Sequence, residues 1–279
     1  MTFKMKTSSI TNHKITRISG YDTEELDDQL AVEEPLEIQV EYQSAGQKER
    51  KSISVTMRTP GNDAELAAGF LFTEGIIHSK GQIDSITHAA LDENRVVVTF
   101  SAGFEPLLGS LERNFYTTSS CGVCGKASID AIRTRSAYAN AQGGLVLKRD
   151  LLYQLTEQIA RHQSAFETTG GLHASALFDA SGQFMMLRED VGRHNALDKL
   201  IGAALLAEQL PLDSHVLLLS GRASFELIQK AAMAGIRVVA AIGAPSSLAV
   251  QLAEESDITL VGFLKKDKFN IYTGHHRLI

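Results

Sequence analysis

Cys121 and Cys124, the chain's two cysteines, stand in the run Ser120-Cys-Gly-Val-Cys-Gly125 and are the side chains best suited to covalent chemistry. Two thiols this close cannot tie distant segments together, so a disulfide framework of the secreted kind is excluded. The pair instead reads as catalytic, redox or metal-binding chemistry in a reducing compartment. Free cysteines usually hide in apolar surroundings and behave as small hydrophobes. These lie in the stretch Thr117-Thr-Ser-Ser-Cys-Gly-Val-Cys-Gly-Lys-Ala-Ser128, where exposure and the cation of Lys126 favour the thiolate, the nucleophilic form. A structural zinc takes four ligands, which this pair could complete only with side chains from elsewhere or from a second subunit. No spaced histidine pair lies near the motif, and no resident metal is expected.

Three further stretches carry charge in places where a ligand could use it. Arg188-Glu-Asp-Val-Gly-Arg-His-Asn-Ala-Leu-Asp-Lys199 turns at Gly192 and opens a helix with Arg193 and His194, and Ser220-Gly-Arg-Ala-Ser224 sets Arg222 in a second strand-to-helix turn. Phe263-Leu-Lys-Lys-Asp-Lys268 places Lys265, Lys266 and Lys268 around Asp267 just beyond a strand. In open α/β sheets ligands bind outside the carboxyl ends of the strands, where helix N-termini offer N–H donors to anions. A phosphate-bearing ligand fits such a rim. Asp190, Arg193 and Arg222 read equally well as an ion-pair network that holds loops, and His173, in Gly170-Gly-Leu-His-Ala174, reads also as a satisfied core histidine. The chain has no Gly-x-Gly-x-x-Gly, Walker A loop, His-Glu-x-x-His or Gly-x-Ser-x-Gly, which removes the main support for dinucleotide, NTPase, zincin and hydrolase readings.

The elements that must position these residues fall into two halves. Between Ile15 and Phe100 apolar residues alternate with polar ones, as in 36–42, 52–57 and 96–100, and predict strands with one buried face; Leu66, Ala67, Phe70 and Leu71 predict one helix packed on them. From Asp150 onward helices over 151–162, 195–208, 223–234 and 246–255 alternate with strands over 172–178, 184–188, 216–220, 237–242 and 258–264. Such alternation predicts a mainly parallel sheet covered on both faces. The expected fold class is α/β (α+β overall): a small N-terminal β-rich domain over 15–116, a linker with the cysteines over 117–149, and a C-terminal three-layer α/β/α domain over 150–279.

Composition narrows the partners. With 27 Lys+Arg against 33 Asp+Glu, a net charge of -6 and a pI near 5.9, a sequence-independent grip on nucleic acid is not expected, and any anion site must be local. No apolar run approaches the ~18 residues that span a bilayer, and the N-terminal stretch carries Lys4, Lys6, His13, Lys14 and Arg17 with no apolar segment of the kind signal peptides have. The chain is expected to be cytoplasmic, with no membrane partner.

Taken together and in order, Ser120-Cys-Gly-Val-Cys-Gly125, Glu189-Asp-Val-Gly-Arg-His194 with Leu197-Asp-Lys199, Ser220-x-Arg-Ala-Ser224 and Gly262-Phe263 resemble the FdhD family, the sulfur carrier proteins that formate dehydrogenase needs to become active. The similarity runs from about Glu34 to the C-terminus. It implies a cytidine-deaminase-like C-terminal domain, a homodimer, and a sulfurtransferase moving sulfur from a cysteine desulfurase to the molybdenum bis-guanine-dinucleotide cofactor, with GDP able to mimic that cofactor. It also implies a persulfide on Cys121, an assisting or resolving role for Cys124, and cofactor binding by Phe263, Leu264, Lys265, Lys266, Asp267 and Lys268, with Arg222 and His194 on the same rim. Family members often end that stretch in Arg where this chain has Lys268, and an ammonium lacks the bidentate fork that suits phosphate. Other classes fit less well. A zinc deaminase needs His-x-Glu and a downstream Pro-Cys-x-x-Cys, a thioredoxin-like protein needs its Cys-x-x-Cys behind a strand in a compact unit, and a non-catalytic chaperone would keep the rim without needing the thiols.

Overall fold

The computed structural model describes residues 8–90, 92–106, 138 and 145–279. Cys121, Cys124 and Lys126 lie outside these residues, as does most of the expected 117–149 linker.

The chain begins with a two-stranded antiparallel hairpin, β1 (Ile10–Ser19) and β2 (Asp22–Ala31), which the sequence reading did not resolve into strands. Its alternation is masked by charge: Lys14 stands opposite Asp27 and Arg17 opposite Glu24, pairs that favour strand pairing without burying anything. Next comes a four-stranded sheet of β3 (Glu34–Ser44), β4 (Gln47–Arg58), β5 (Ile83–Ala89) and β6 (Asp92–Phe100), in the order β4-β3-β6-β5. Leu36, Ile38 and Val40 point to one face of it, where Leu66, Leu71 and Phe72 of α1 (Asp63–Thr73) cover them, as period-two and helical spacing predict.

The C-terminal half follows the expected sequence of elements, with α3 and β12 in addition: α2 (Arg149–His162), α3 (Ser164–Thr169), β7 (His173–Phe178), β8 (Phe184–Asp190), α4 (Arg193–Leu206), β9 (Val216–Leu219), α5 (Phe225–Met233), β10 (Val238–Ala241), α6 (Ser247–Glu255), β11 (Thr259–Gly262) and β12 (Asn270–Thr273). Leu152, Leu155 and Ile159 of α2 bury one sheet face with Ala176, Leu218 and Val261, while α4, α5 and α6 bury the other with Leu177, Leu219 and Leu260. This is the expected three-layer α/β/α arrangement.

One expectation is corrected. The sheet, in the order β12-β11-β10-β9-β7-β8, is mixed rather than mainly parallel. Only β9, β10 and β11 pair in parallel; β7 is antiparallel to both β8 and β9, and β12 to β11. β7 with β8, and β11 with β12, are joined by turns and so pair antiparallel, while α4 carries the chain from β8 across β7 to β9, which sets β9 parallel in direction to β8 and antiparallel to β7. β7 and β8 are joined by the tight turn at 179–183, where Asp179 Oδ1 accepts from the N–H groups of Ser181 and Gln183 at 2.8 and 2.9 Å, and β12 returns from β11 through a short turn.

The two halves share one core because α1 packs directly on α4. A Cβ at Gly69 would sit 1.9 Å from the Asp198 carbonyl oxygen, and one at Gly202 would sit 1.8 Å from that of Glu65. Glycine costs about 1 kcal/mol relative to alanine inside a helix, and here it permits backbone contact that no side chain allows. Around the contact Lys230 Nζ lies 2.9 Å from Asp198 Oδ2, and Thr73 Oγ1 donates to Asp198 Oδ1 at 2.8 Å, all three side chains buried.

Candidate cofactor-binding rim

β8, β9, β10 and β11 all run in one direction, so their carboxyl ends meet at one edge of the sheet, joined there by His173 at the start of β7. That edge is stitched by backbone hydrogen bonds between turns distant in sequence. Gly243 N–H donates to Gly221 O at 2.9 Å, Phe263 N–H to Gly243 O at 3.1 Å, and Ser246 N–H to Ala223 O at 3.0 Å. The segments 220–224 and 262–264 therefore meet across the turn after β10, as the strand-end argument predicts.

Each residue singled out from the sequence has a definite place on this edge. His194, in the first turn of α4, is buried, with Nε2 3.4 Å from Ser224 Oγ and 3.8 Å from Glu226 Oε2 in the first turn of α5. The His194 ring, with help from the N–H of Glu226 itself and from Ser224, pulls the Glu226 carboxyl down to about 2. Arg222 is exposed, and its backbone and Cγ lie against Gly243. Phe263 is 44% exposed with φ at +53°, a left-handed conformation that a bulky residue rarely adopts and that tends to mark functional sites. The structure thus brings His194, Arg222 and Phe263 to one rim.

The rest of the lysine stretch is less unified. Leu264 is buried in the core under α2, so its side chain faces away from the rim. Lys265 to Lys268 form a tight exposed turn closed by the Lys265 N–H donating to Lys268 O at 2.9 Å. Within it Lys266 Nζ lies 3.1 Å from Glu157 Oε1 on α2.

The acidic pair in front of Gly192 is structural, though not in the network the sequence admitted. Asp190, fully buried, pairs with Lys199 Nζ at 2.7 Å and accepts from the N–H groups of Gly192 and Thr59 at 2.8 and 3.2 Å. Neither Arg193 nor Arg222 is its ion-pair partner. Glu189 accepts from the N–H groups of Ala165 and Phe166 at the start of α3. These carboxylates hold the loop that sets the N-terminus of α4 in place. α4 and α5 both begin without a side-chain cap from the N-cap residue, and in the first turn of α5 the Glu226 carboxylate accepts from its own N–H.

Sequence reasoning missed Glu226, two residues beyond the Ser220-to-Ser224 motif, and left His173 undecided. Its place directly after Gly170-Gly-Leu, opening a strand beside the end of β9, was the available signal for His173; nothing in the sequence marked Glu226 as the partner of a histidine thirty-two residues earlier.

The geometry defines a class: an α/β/α protein with two helix N-termini at one strand-end rim, fused to a smaller β-rich part through one core. The sequence profile of the FdhD/NarQ family matches residues 31–279, and the chain belongs to that family. A protein of Mycolicibacterium paratuberculosis named "Sulfur carrier protein FdhD" is 52% identical over 256 residues, covering 89% of this chain and 91% of its own. Another of the same name from Streptomyces avermitilis is 48% identical over 273 residues, covering 95% and 94%. Among solved structures, a putative formate dehydrogenase accessory protein from Desulfotalea psychrophila shares the fold, with a TM-score of 0.74 at 22% identity, over 98% of this chain and 100% of that one.

Proposed function

We propose that the chain is a sulfur carrier in the cytoplasm, a homodimer that takes sulfur from a cysteine desulfurase onto Cys121 and delivers it to the molybdenum bis-guanine-dinucleotide cofactor destined for formate dehydrogenase. Membership of a family whose relatives carry the name sulfur carrier supports the sulfur half of this reading. The observation that carries the cofactor half is the rim, where three separated segments meet beside two helix N-termini and an exposed, left-handed Phe263. Phosphates of a guanine dinucleotide match the N–H donors and Arg222 there, and the exposed ring of Phe263 offers a face to a base.

In the loading step the Cys121 thiolate attacks the outer sulfur of the desulfurase persulfide. The S–S bond of the desulfurase breaks, its own thiolate leaves, and a new S–S bond forms on Cys121, with no net change in oxidation. For release, the Cys124 thiolate attacks the Cys121 sulfur, the persulfide bond breaks, and the outer sulfur departs to the cofactor as sulfide. A Cys121–Cys124 disulfide remains, which a cellular dithiol reductant resets. Cys121→Ala should abolish activation of formate dehydrogenase while leaving GDP binding at the rim unchanged. Full activation by that variant would reduce the protein to a cofactor chaperone and sink the carrier reading.

A further inference from the structure

His173 opens β7 opposite Asp190 and lies against the turn after β9. A Cβ at Gly221 would come 3.3 Å from its Nδ1, tighter than most real contacts, and 3.5 Å from its Cε1, an ordinary contact. Glycine at 221 is therefore what lets the ring lie flush with the turn that also carries Arg222. The ring is half-buried, and neither nitrogen has a hydrogen-bond partner among the described residues. Arg193, whose charge acts on this ring, has a buried Nε that likewise lacks a partner among the described residues. Burial first, then the charges of Arg193 and His194, push the imidazole below the usual histidine range against the opposing pull of Asp190, which favours the neutral ring. A neutral imidazole with both nitrogens unspent offers one donor and one acceptor.

We propose that His173 is a direct ligand contact, its ring nitrogens hydrogen-bonding the nucleotide part of the cargo beside the Arg193 guanidinium, with Gly221 admitting the ring. The proposal rests on the reading of the rim as the nucleotide site. It makes the undecided histidine a binding residue and Gly221 a residue whose small size serves the ligand rather than the fold.

The test is calorimetric titration of the full-length protein with GDP, alongside thermal unfolding. His173→Phe keeps a ring of similar size and removes both nitrogens. It should weaken GDP binding about tenfold, equivalent to 1.4 kcal/mol, with an unchanged unfolding midpoint. His173→Gln, which retains a donor and an acceptor, should lose less, and Gly221→Ala, which pushes the ring aside, should lose about as much as His173→Phe. Wild-type affinity in His173→Phe overturns the proposal and leaves the rim reading intact, as does a loss that appears equally in His173→Gln together with a lowered midpoint, since that pattern marks a structural histidine. Absence of GDP binding by the wild-type protein removes the rim reading and the proposal with it.

Discussion

Replacing Lys230 with methionine tests how the two halves are joined. The Lys230 ammonium donates to Thr73 Oγ1 at 2.9 Å and to both oxygens of Asp198 at 3.0 and 2.9 Å, with Glu74 Oε1 3.6 Å away. The side chains of Lys230 and Asp198 are only 8% and 3% exposed. Methionine preserves the apolar stem but leaves the Asp198 carboxylate with the Thr73 hydroxyl as its remaining donor. Breaking a buried pair from one side costs about 3–5 kcal/mol, a large share of the about 5–15 kcal/mol that holds a typical protein folded. At roughly 2–4 °C per kcal/mol for larger domains, the unfolding midpoint should fall by about 6–20 °C. Removing both charges in Lys230→Met with Asp198→Leu should recover much of that loss, because the buried Asp198 carboxylate is no longer left without its cation. Urea titration and thermal scans of the three proteins give the comparison. A loss below about 1 kcal/mol in the single variant, or a double variant no more stable than the single, would refute the reasoning that this cluster is enclosed and its charges interdependent.

Other consequences follow from the same contacts. Gly202→Ala should destabilise strongly despite alanine's better helix propensity, since its Cβ would overlap the Glu65 carbonyl, and urea unfolding should show the loss. Lys265→Glu and Lys268→Glu should each weaken GDP binding and reduce its salt dependence more than Lys266→Glu, because Lys266 is engaged with Glu157; equal effects from all three would speak against that engagement. Glu226 has its pKa lowered from 4.5 to about 2 on folding, so its contribution to stability is present above about pH 4.5 and is lost as pH falls toward 2. The stability gap between the wild type and Glu226→Gln should therefore be constant near neutrality and close between those pH values, as acid titration monitored by circular dichroism would show.

Most of the fold was legible because it is written in burial. Leu36, Ile38 and Val40, or Leu217 and Leu219, are apolar at the period of the face they occupy, and that pattern survives without any knowledge of partners. Strand direction was not legible: the residues of β7 and β9 read as strands, but whether neighbours run parallel depends on the connection rather than on the strand, and β12 was not read as a strand at all. The hairpin of β1 and β2 was missed because its cross-strand pairs are ionic and its faces are exposed. At the site, spacing located the turns that meet at the rim, since glycine next to arginine after an apolar strand has few other uses. Spacing did not separate Asp190 and Lys199, which hold the loop, from His194 and Arg222, which stand at the rim, because the partners of a charged side chain are set by the fold and do not show in one dimension. His173 stayed ambiguous for the same reason: its character depends on Gly221, forty-eight residues away.

The central claim is that Cys121 carries the sulfur. Intact-protein mass spectrometry after incubation with a cysteine desulfurase and cysteine, before any reductant is added, tests it most directly. The account predicts the gain of one sulfur on the wild-type chain and on Cys124→Ser, and none on Cys121→Ser. The same gain on Cys121→Ser, at the wild-type level, would contradict it.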